Sequence, residues 1–505
     1  MRLTRRRLLA GASLAGFGSR FAWADRPRFS DHPFKLGVAS GSPRPDGFVL
    51  WTRLAPEPLH DGGAPDRIVP VSWELAEDPG FRRRVGQGSF AAVPELGHSV
   101  HAEVRGLRPG RSYFYRFIAG SEVSAVGRTR TLPALNAAPD RLKLAYGSCQ
   151  HFEQGWFAAH RHLLEEDLDL MVFLGDYIYE SSWGERLVRL HSGLGEVCRS
   201  LTSYRNRHAQ YKLDLDLQAL HGAVPWLLTW DDHEVVNDYA KDRSERLDPN
   251  FIERRQAAYQ AFWEHMPLRM DQRPRRGRMK MYGSVPFGRL ARIHMLDGRQ
   301  YKSPQACPRP GLGGGHFTEH CPGLEAEGRS FLGADQETWL HRALGEERAD
   351  WSLLAQQTLL APLDRKPGPG NRLWTDGWDG YPAARRRLLA SLGQPSVRNA
   401  FVMGGDIHCC VAADLKSDRG PVVASEVCGT SIASQGPTND QMAALRPDNP
   451  HVHLAHSQRG YVRLDIRPGR LEARLRVLDD EKERDSGVRT LTEFSVEEGR
   501  AGLQR

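Results

Sequence analysis

Apolar and polar positions along the chain change period once. Between residues 32 and 132, short alternating stretches such as 48–53 and 71–75 are broken by Pro, Gly and Asp, which predicts antiparallel strands around one core. Beyond residue 139, uninterrupted apolar runs at 142–146, 170–174, 224–230 and 400–403 lie between helical stretches such as 156–164 and 251–265. Strands of that kind are buried on both faces, so this part predicts an α/β layered domain. The Ala- and Pro-rich residues 133–139 read as the linker. Pro and Gly crowd residues 298–331, predicting a long loop over one edge of a site. Residues 461–466 and 470–477, around Arg467-Pro468-Gly469, predict a hairpin. The division expected is therefore 25–133 for a β-sandwich, 139–480 for the main domain and 481–505 for a charged C-terminal tail.

The run 100–104, the corner Leu107-Arg108-Pro109-Gly110 and the aromatic strand 112–117 together resemble a small all-β fibronectin type III-like domain. Ahead of it, Arg5-Arg6-Arg7 precedes a short Ala- and Gly-rich stretch and the small-x-small Ala22-Trp23-Ala24. Residues 1–24 read as a twin-arginine signal peptide, too short and Gly-rich for a membrane span. The implied partner is the twin-arginine export machinery, and the implied location periplasmic or secreted. The formal charge of +7 then falls to about +2, because residues 1–24 hold five arginines and no acid. No basic stripe or aromatic-interleaved basic run marks a nucleic-acid reader. Of seven cysteines, Cys307 and Cys321 flank a Pro/Gly-rich loop that a disulfide can close in an oxidising compartment.

Each apolar run ends in a polar burst. Cys149 follows 142–146, Asp176 follows 170–174, Asp231-Asp232-His233-Glu234 follows 224–230, and Asp406 with His408 follows 400–403. Charge at the end of a buried strand is costly unless a cation receives it. Asp176 at a strand's carboxyl end can bridge two cations. Tyr179 lies three residues on, a spacing that a helical turn returns to the same side; a phenolate there asks for ferric iron. Asp406 and His408 alternate on an extended backbone and would share one face. Asp231 reads equally as a helix cap, and Cys149 alone as a small buried hydrophobe.

These pieces in this order, with Gly147-Ser148-Cys149, Gly175-Asp176-Tyr177-Ile178-Tyr179, Trp230-Asp231-Asp232-His233-Glu234 and Gly405-Asp406-Ile407-His408, resemble the PhoD-type alkaline phosphatases of the calcineurin-like metallophosphatase superfamily. The resemblance implies a metallophosphatase sandwich of mixed sheets flanked by helices. It implies Fe3+ held by Cys149, Tyr179 and His408, bridged through Asp176 to an oxygen-rich Ca2+ site with Asp232 and Asp406, and Asn237 as a further oxygen ligand. Hydrolysis of phosphomonoesters, and of phosphodiesters too, would proceed by a metal-activated hydroxide on a small-molecule or polymer substrate. His233 would serve the leaving oxygen, and Arg205 or Arg207 would clamp a phosphate oxygen or else lie on a solvated helix face. Two rivals stand beside this reading: a phospholipase D-like or other phosphodiesterase on the same fold, and a cell-surface binding protein whose sandwich does the work.

Overall fold

The computed structural model describes residues 27–183, 187–191, 197–346, 348–417 and 420–505, so the twin-arginine segment lies outside the described residues. Two sheets face each other. The first has ten strands in the order Arg500–Gln504, Val488–Glu497, Arg470–Leu478, Gly460–Arg467, Leu142–Gly147, Leu170–Phe173, Trp226–Leu228, Val38–Arg44, Gly47–Arg53 and Ser99–Val104. The second has seven: Gly283–Phe287, Ala291–Met295, Trp351–Ala355, Ala400–Gly404, Val422–Cys428, Cys410–Lys416 and Val452–His456. The central strands of each sheet run parallel.

Strand alternation builds the layers. Leu142, Leu144 and Tyr146 meet Ile293, Leu353, Phe401 and Val427 between the sheets. Ala145, Met171 and Trp226 turn outward onto a cluster that includes Tyr204, Tyr211, Leu217 and Phe262 from the helices Leu201–Lys212, Leu215–Ala223 and Phe251–His265. On the far side, Leu354, Val402 and Ala424 pack with the helices Ala334–Gly345 and Pro382–Leu392. The expected sandwich of mixed sheets flanked by helices is what forms. Among the described residues no helix is long and apolar enough to cross a membrane.

The helix Leu201–Lys212 starts at a capping box in which Ser200 Oγ accepts from the Ser203 N–H and the Ser203 hydroxyl accepts from the Ser200 N–H. Every residue from Tyr204 to Lys212 is buried, so this is no solvated face. A helix enclosed on all sides shows no amphipathic stripe.

The C-terminal tail expected from the sequence is corrected, and the N-terminal sandwich shares a sheet with the main domain. The N-terminal part does form a sandwich, with Phe48, Leu50 and Val100 packed against Val71, Leu75, Tyr113 and Tyr115 of a five-stranded sheet. One of its layers, however, is the wing of the ten-stranded sheet, joined where Gly41 pairs in parallel with Trp226. All seven residues of Gly47–Arg53 are buried, because both faces of that strand are covered. Residues 481–505 are not a tail: Val488–Glu497 pairs along Arg470–Leu478, and Arg500–Gln504 adds the edge. Phe494 and Val496 enter the inter-sheet core, while Glu493 and Glu497 flank them and mask the alternation.

Candidate metal centre

The parallel strands all end at one edge of the sandwich, and their carboxyl ends deliver the ligating side chains. Three overlapping groups have ligand atoms within 4.8 Å of one another: Cys149, Asp176 and His408; Asp176, Asp232 and His233; and Asp176, Asp231, Asp232 and Asp406. Asp176 belongs to all three, so the groups share one carboxylate as a bridge would. Tyr179 completes the first group, its hydroxyl 3.1 Å from Asp176 Oδ2 and 3.0 Å from His408 Nε2.

The backbone reaches this arrangement differently from the spacing argument. Asp406 and His408 do not alternate along a strand, which ends at Gly404; both sit in the left-handed region, at φ 66° and 54°. Cys149 and Asp176 are left-handed too, at φ 58° and 54°. Tyr179 follows Asp176 through bends rather than a helical turn, and Asp231 caps no helix. Sharp reversals at the strand ends turn the side chains inward, at a cost of about 1 kcal/mol or more per non-glycine residue.

Neighbours hold the ligands in place. His408 Nδ1 donates to the Gln435 carbonyl at 2.7 Å, leaving the Nε2 lone pair facing the cluster as metal ligation requires. Arg459 Nη1 donates to the carbonyls of His408 and Ser434 at 2.7 and 2.6 Å, and Ser434 Oγ donates to the Tyr179 hydroxyl at 2.7 Å. Glu234 accepts from the N–H groups of Asp176, Tyr177 and Asp231, tying two strand ends together. Burial raises its carboxyl to about 7.

The charges are those of a site that expects cations. Burial, with the Asp232, Glu234 and Asp406 carboxylates beside it, pushes Asp176 well above the usual carboxylate range. Burial likewise lifts Asp406 to about 6, and burial with neighbouring Asp176 lifts the Cys149 thiol. Asp232 Oδ1 is buried and makes no hydrogen bond, with Arg299 Nη2 3.5 Å away. Burial would lower His233, but Glu180, Asp176 and Asp232 outweigh it and hold the imidazole well above its ordinary value.

Several residues here escape sequence reasoning. Arg299 is fully enclosed and pairs with Asp231 and with Asp376 (Nη1 to Oδ2, 2.6 Å). Lys302 Nζ lies 2.6 Å from Asp376 Oδ1, so Asp232, Asp238 and Asp376, a fourth acidic group, already face two internal cations. These residues come from loops with no periodicity; among the supporting carboxylates only Glu234, inside a quoted motif, offered a signal.

Two assignments are corrected. Arg205 is no phosphate clamp: Nε and Nη2 engage both Glu264 oxygens at 2.7 and 2.8 Å, and Nη1 meets Asp61 at 3.3 Å. Arg207 is fully buried and donates to the Tyr179 carbonyl, so it supports a ligand-bearing segment. Asn237 donates its side-chain N–H to Glu245 at 3.3 Å and its backbone N–H to Glu180 at 3.1 Å.

Residues 144–475 match the profile of the PhoD-like phosphatase family, and residues 20–133 that of the PhoD-like phosphatase N-terminal domain. The chain belongs to the PhoD-like phosphatase family. It is 40% identical over 514 residues to alkaline phosphatase D of Bacillus subtilis (strain 168), covering 99% of this chain and 86% of that protein. A solved structure of PhoD superposes with a TM-score of 0.90 at 40% identity, covering 95% of this chain and 93% of that one. Membership bears out the family and the phosphoester hydrolase expected from the motifs, and sets aside a surface binding module.

Proposed function

We propose that the protein is an exported, metal-dependent phosphoesterase acting first on phosphomonoesters. The observation that carries this is the bridging position of Asp176 between a thiol, phenol and imidazole set and an all-carboxylate set. The donors fit two different cations. Cys149, Tyr179, His408 and Asp176 would hold Fe3+, for which thiolate and phenolate are strong ligands. Asp176, Asp231, Asp232 and Asp406 would hold Ca2+, which takes oxygen ligands. When bound, such a pair supplies Lewis acidity toward phosphoryl oxygens and toward water.

The chain's own residues do the rest. His233, kept charged by Glu180, donates its proton to the leaving alcohol oxygen. Glu234 and Arg459 keep the ligand loops from relaxing, so the geometry is set before substrate arrives. Burial of Cys149, Asp176 and Tyr179 keeps bulk water from the inner side.

Metal titration with phosphate release as readout, combined with elemental analysis, tests the assignment: iron together with calcium is expected. Colourless, zinc-loaded active protein rejects the metals but leaves hydrolysis standing. Turnover of a nitrophenyl monoester against the bis-ester separates monoesterase from diesterase. Export by the twin-arginine route is supported by Arg5-Arg6-Arg7 and by the Cys307–Cys321 disulfide, which suits an oxidising compartment. Arg5→Lys with Arg6→Lys should strand the protein inside the cell; unchanged secretion refutes that route.

A further inference from the structure

The metal-centre residues are largely enclosed, but one ring beside them faces water. Trp183 is 38% exposed, and its centroid lies 5.3 Å from Tyr179 at 87°, 5.7 Å from His233 and 5.9 Å from His408. Leaving more than a third of this residue in water forgoes apolar burial that a large ring normally takes. Packed against it, 5.0 Å away, is His151, itself buried and 4.3 Å from the Tyr179 ring. His151 Nδ1 accepts from the Glu153 N–H at 3.2 Å, which puts the proton of the neutral ring on Nε2. That Nε2 has no hydrogen-bond partner. Buried donors are normally satisfied, so an open indole face and an unfilled donor stand side by side at the mouth of the centre.

We infer that Trp183 is the platform on which a ring of the leaving group stacks, so that the enzyme favours phosphoesters whose leaving alcohol is, or carries, a planar aromatic or heteroaromatic ring, as in aryl phosphates and nucleotides. This rests on the hydrolase assignment. His233 serves the leaving oxygen, and the indole lies within 6 Å of the His233 ring, so a group attached to that oxygen extends across it. Stacking depends on a π-face rather than on a particular hydrogen-bond pattern, so different bases and aryl groups would be accepted together.

The test compares kcat/KM of the metal-loaded enzyme for phenyl phosphate, a nucleoside 5′-monophosphate and glycerol phosphate, in wild type, Trp183→Phe and Trp183→Ala. Trp183→Ala should lose about tenfold on both aromatic esters and less than about twofold on glycerol phosphate, with Trp183→Phe retaining most of the preference. Adenosine, which carries no phosphate, should quench indole fluorescence saturably in wild type, and this component should vanish in Trp183→Phe. Equal losses on all three esters, or a loss concentrated on glycerol phosphate, overturn the platform. Turnover of none of the esters by wild type would overturn the hydrolase assignment as well.

Discussion

Nδ1 of His233 lies 2.7 Å from Oε2 of Glu180, and both side chains are buried beside the shared carboxylate of Asp176. The pair gives the imidazole a partner that stabilises its charged form and fixes which nitrogen faces the reacting group. His233→Asn should lower kcat on an alkyl phosphate by roughly 10²–10⁴-fold. The loss should be much smaller on a nitrophenyl ester, whose leaving group needs no proton. Glu180→Gln should show the same leaving-group dependence in weaker form. Identical losses on both esters would mean that His233 acts as a ligand instead of a proton donor.

Tyr179 touches Asp176, His408 and Ser434 through one hydroxyl. Removing that oxygen by Tyr179→Phe should strip the visible absorption of the iron-loaded protein and weaken iron retention by at least about tenfold. Absorption spectra with iron content per chain decide it. A variant whose colour matches wild type would exclude the phenolate from the coordination set.

Arg299 joins Asp231 and Asp376 and stands near Asp232 in a fully buried network. Arg299→Met leaves Asp231 without its cation and Asp376 with Lys302 alone, and should cost roughly 3–5 kcal/mol in thermal unfolding. Adding Asp376→Asn should recover part of that loss, since the two residues are directly paired. Full additivity of the two substitutions would show that the pair is not coupled.

Lys212 is enclosed beneath Trp51, 4.4 Å from the ring centroid, with His221 Nε2 at 3.4 Å, and burial lowers its ammonium to about 7. Between about 7 and the ordinary 10.5 the unfolded chain keeps a proton that the folded chain has released. Stability therefore rises with pH across that window, and the penalty for burying charge is full below it. Lys212→Met should raise the melting temperature most at pH 6–7, and the gain should fade toward pH 10.5. A gain independent of pH would show that the folded and unfolded chains hold this proton alike, so that burial does not lower the ammonium.

The parts of this molecule that were legible in its sequence are those set by period. The apolar run at 142–146 and the helix Phe251–His265 fall where the pattern puts them, because burial on two faces or one leaves a repeat of fixed length. The side chains that gather at the candidate centre, Cys149, Asp176, Asp232, Asp406 and His408, were legible because each follows such a run. Arg299, Lys302, Asp238 and Asp376 were not, since loops far apart in sequence meet only through the fold. Arg205 misled for the converse reason: an arginine near the motifs is spent on Glu264, a partner no spacing indicates. The strand Val488–Glu497 hid behind its own charges.

The left-handed backbone at Cys149, Asp176, Asp406 and His408 narrows which side chains the proposed metal centre can come to use. Changing a ligand there means finding a residue that tolerates positive φ, a condition that Asn, Asp and His meet and β-branched side chains do not. Exchanges such as Asp406→Asn stay open to evolution or engineering, whereas Thr at the same place would have to be accompanied by a rebuilt loop. Metal preference at the proposed centre would thus be constrained by backbone torsion before coordination chemistry is consulted.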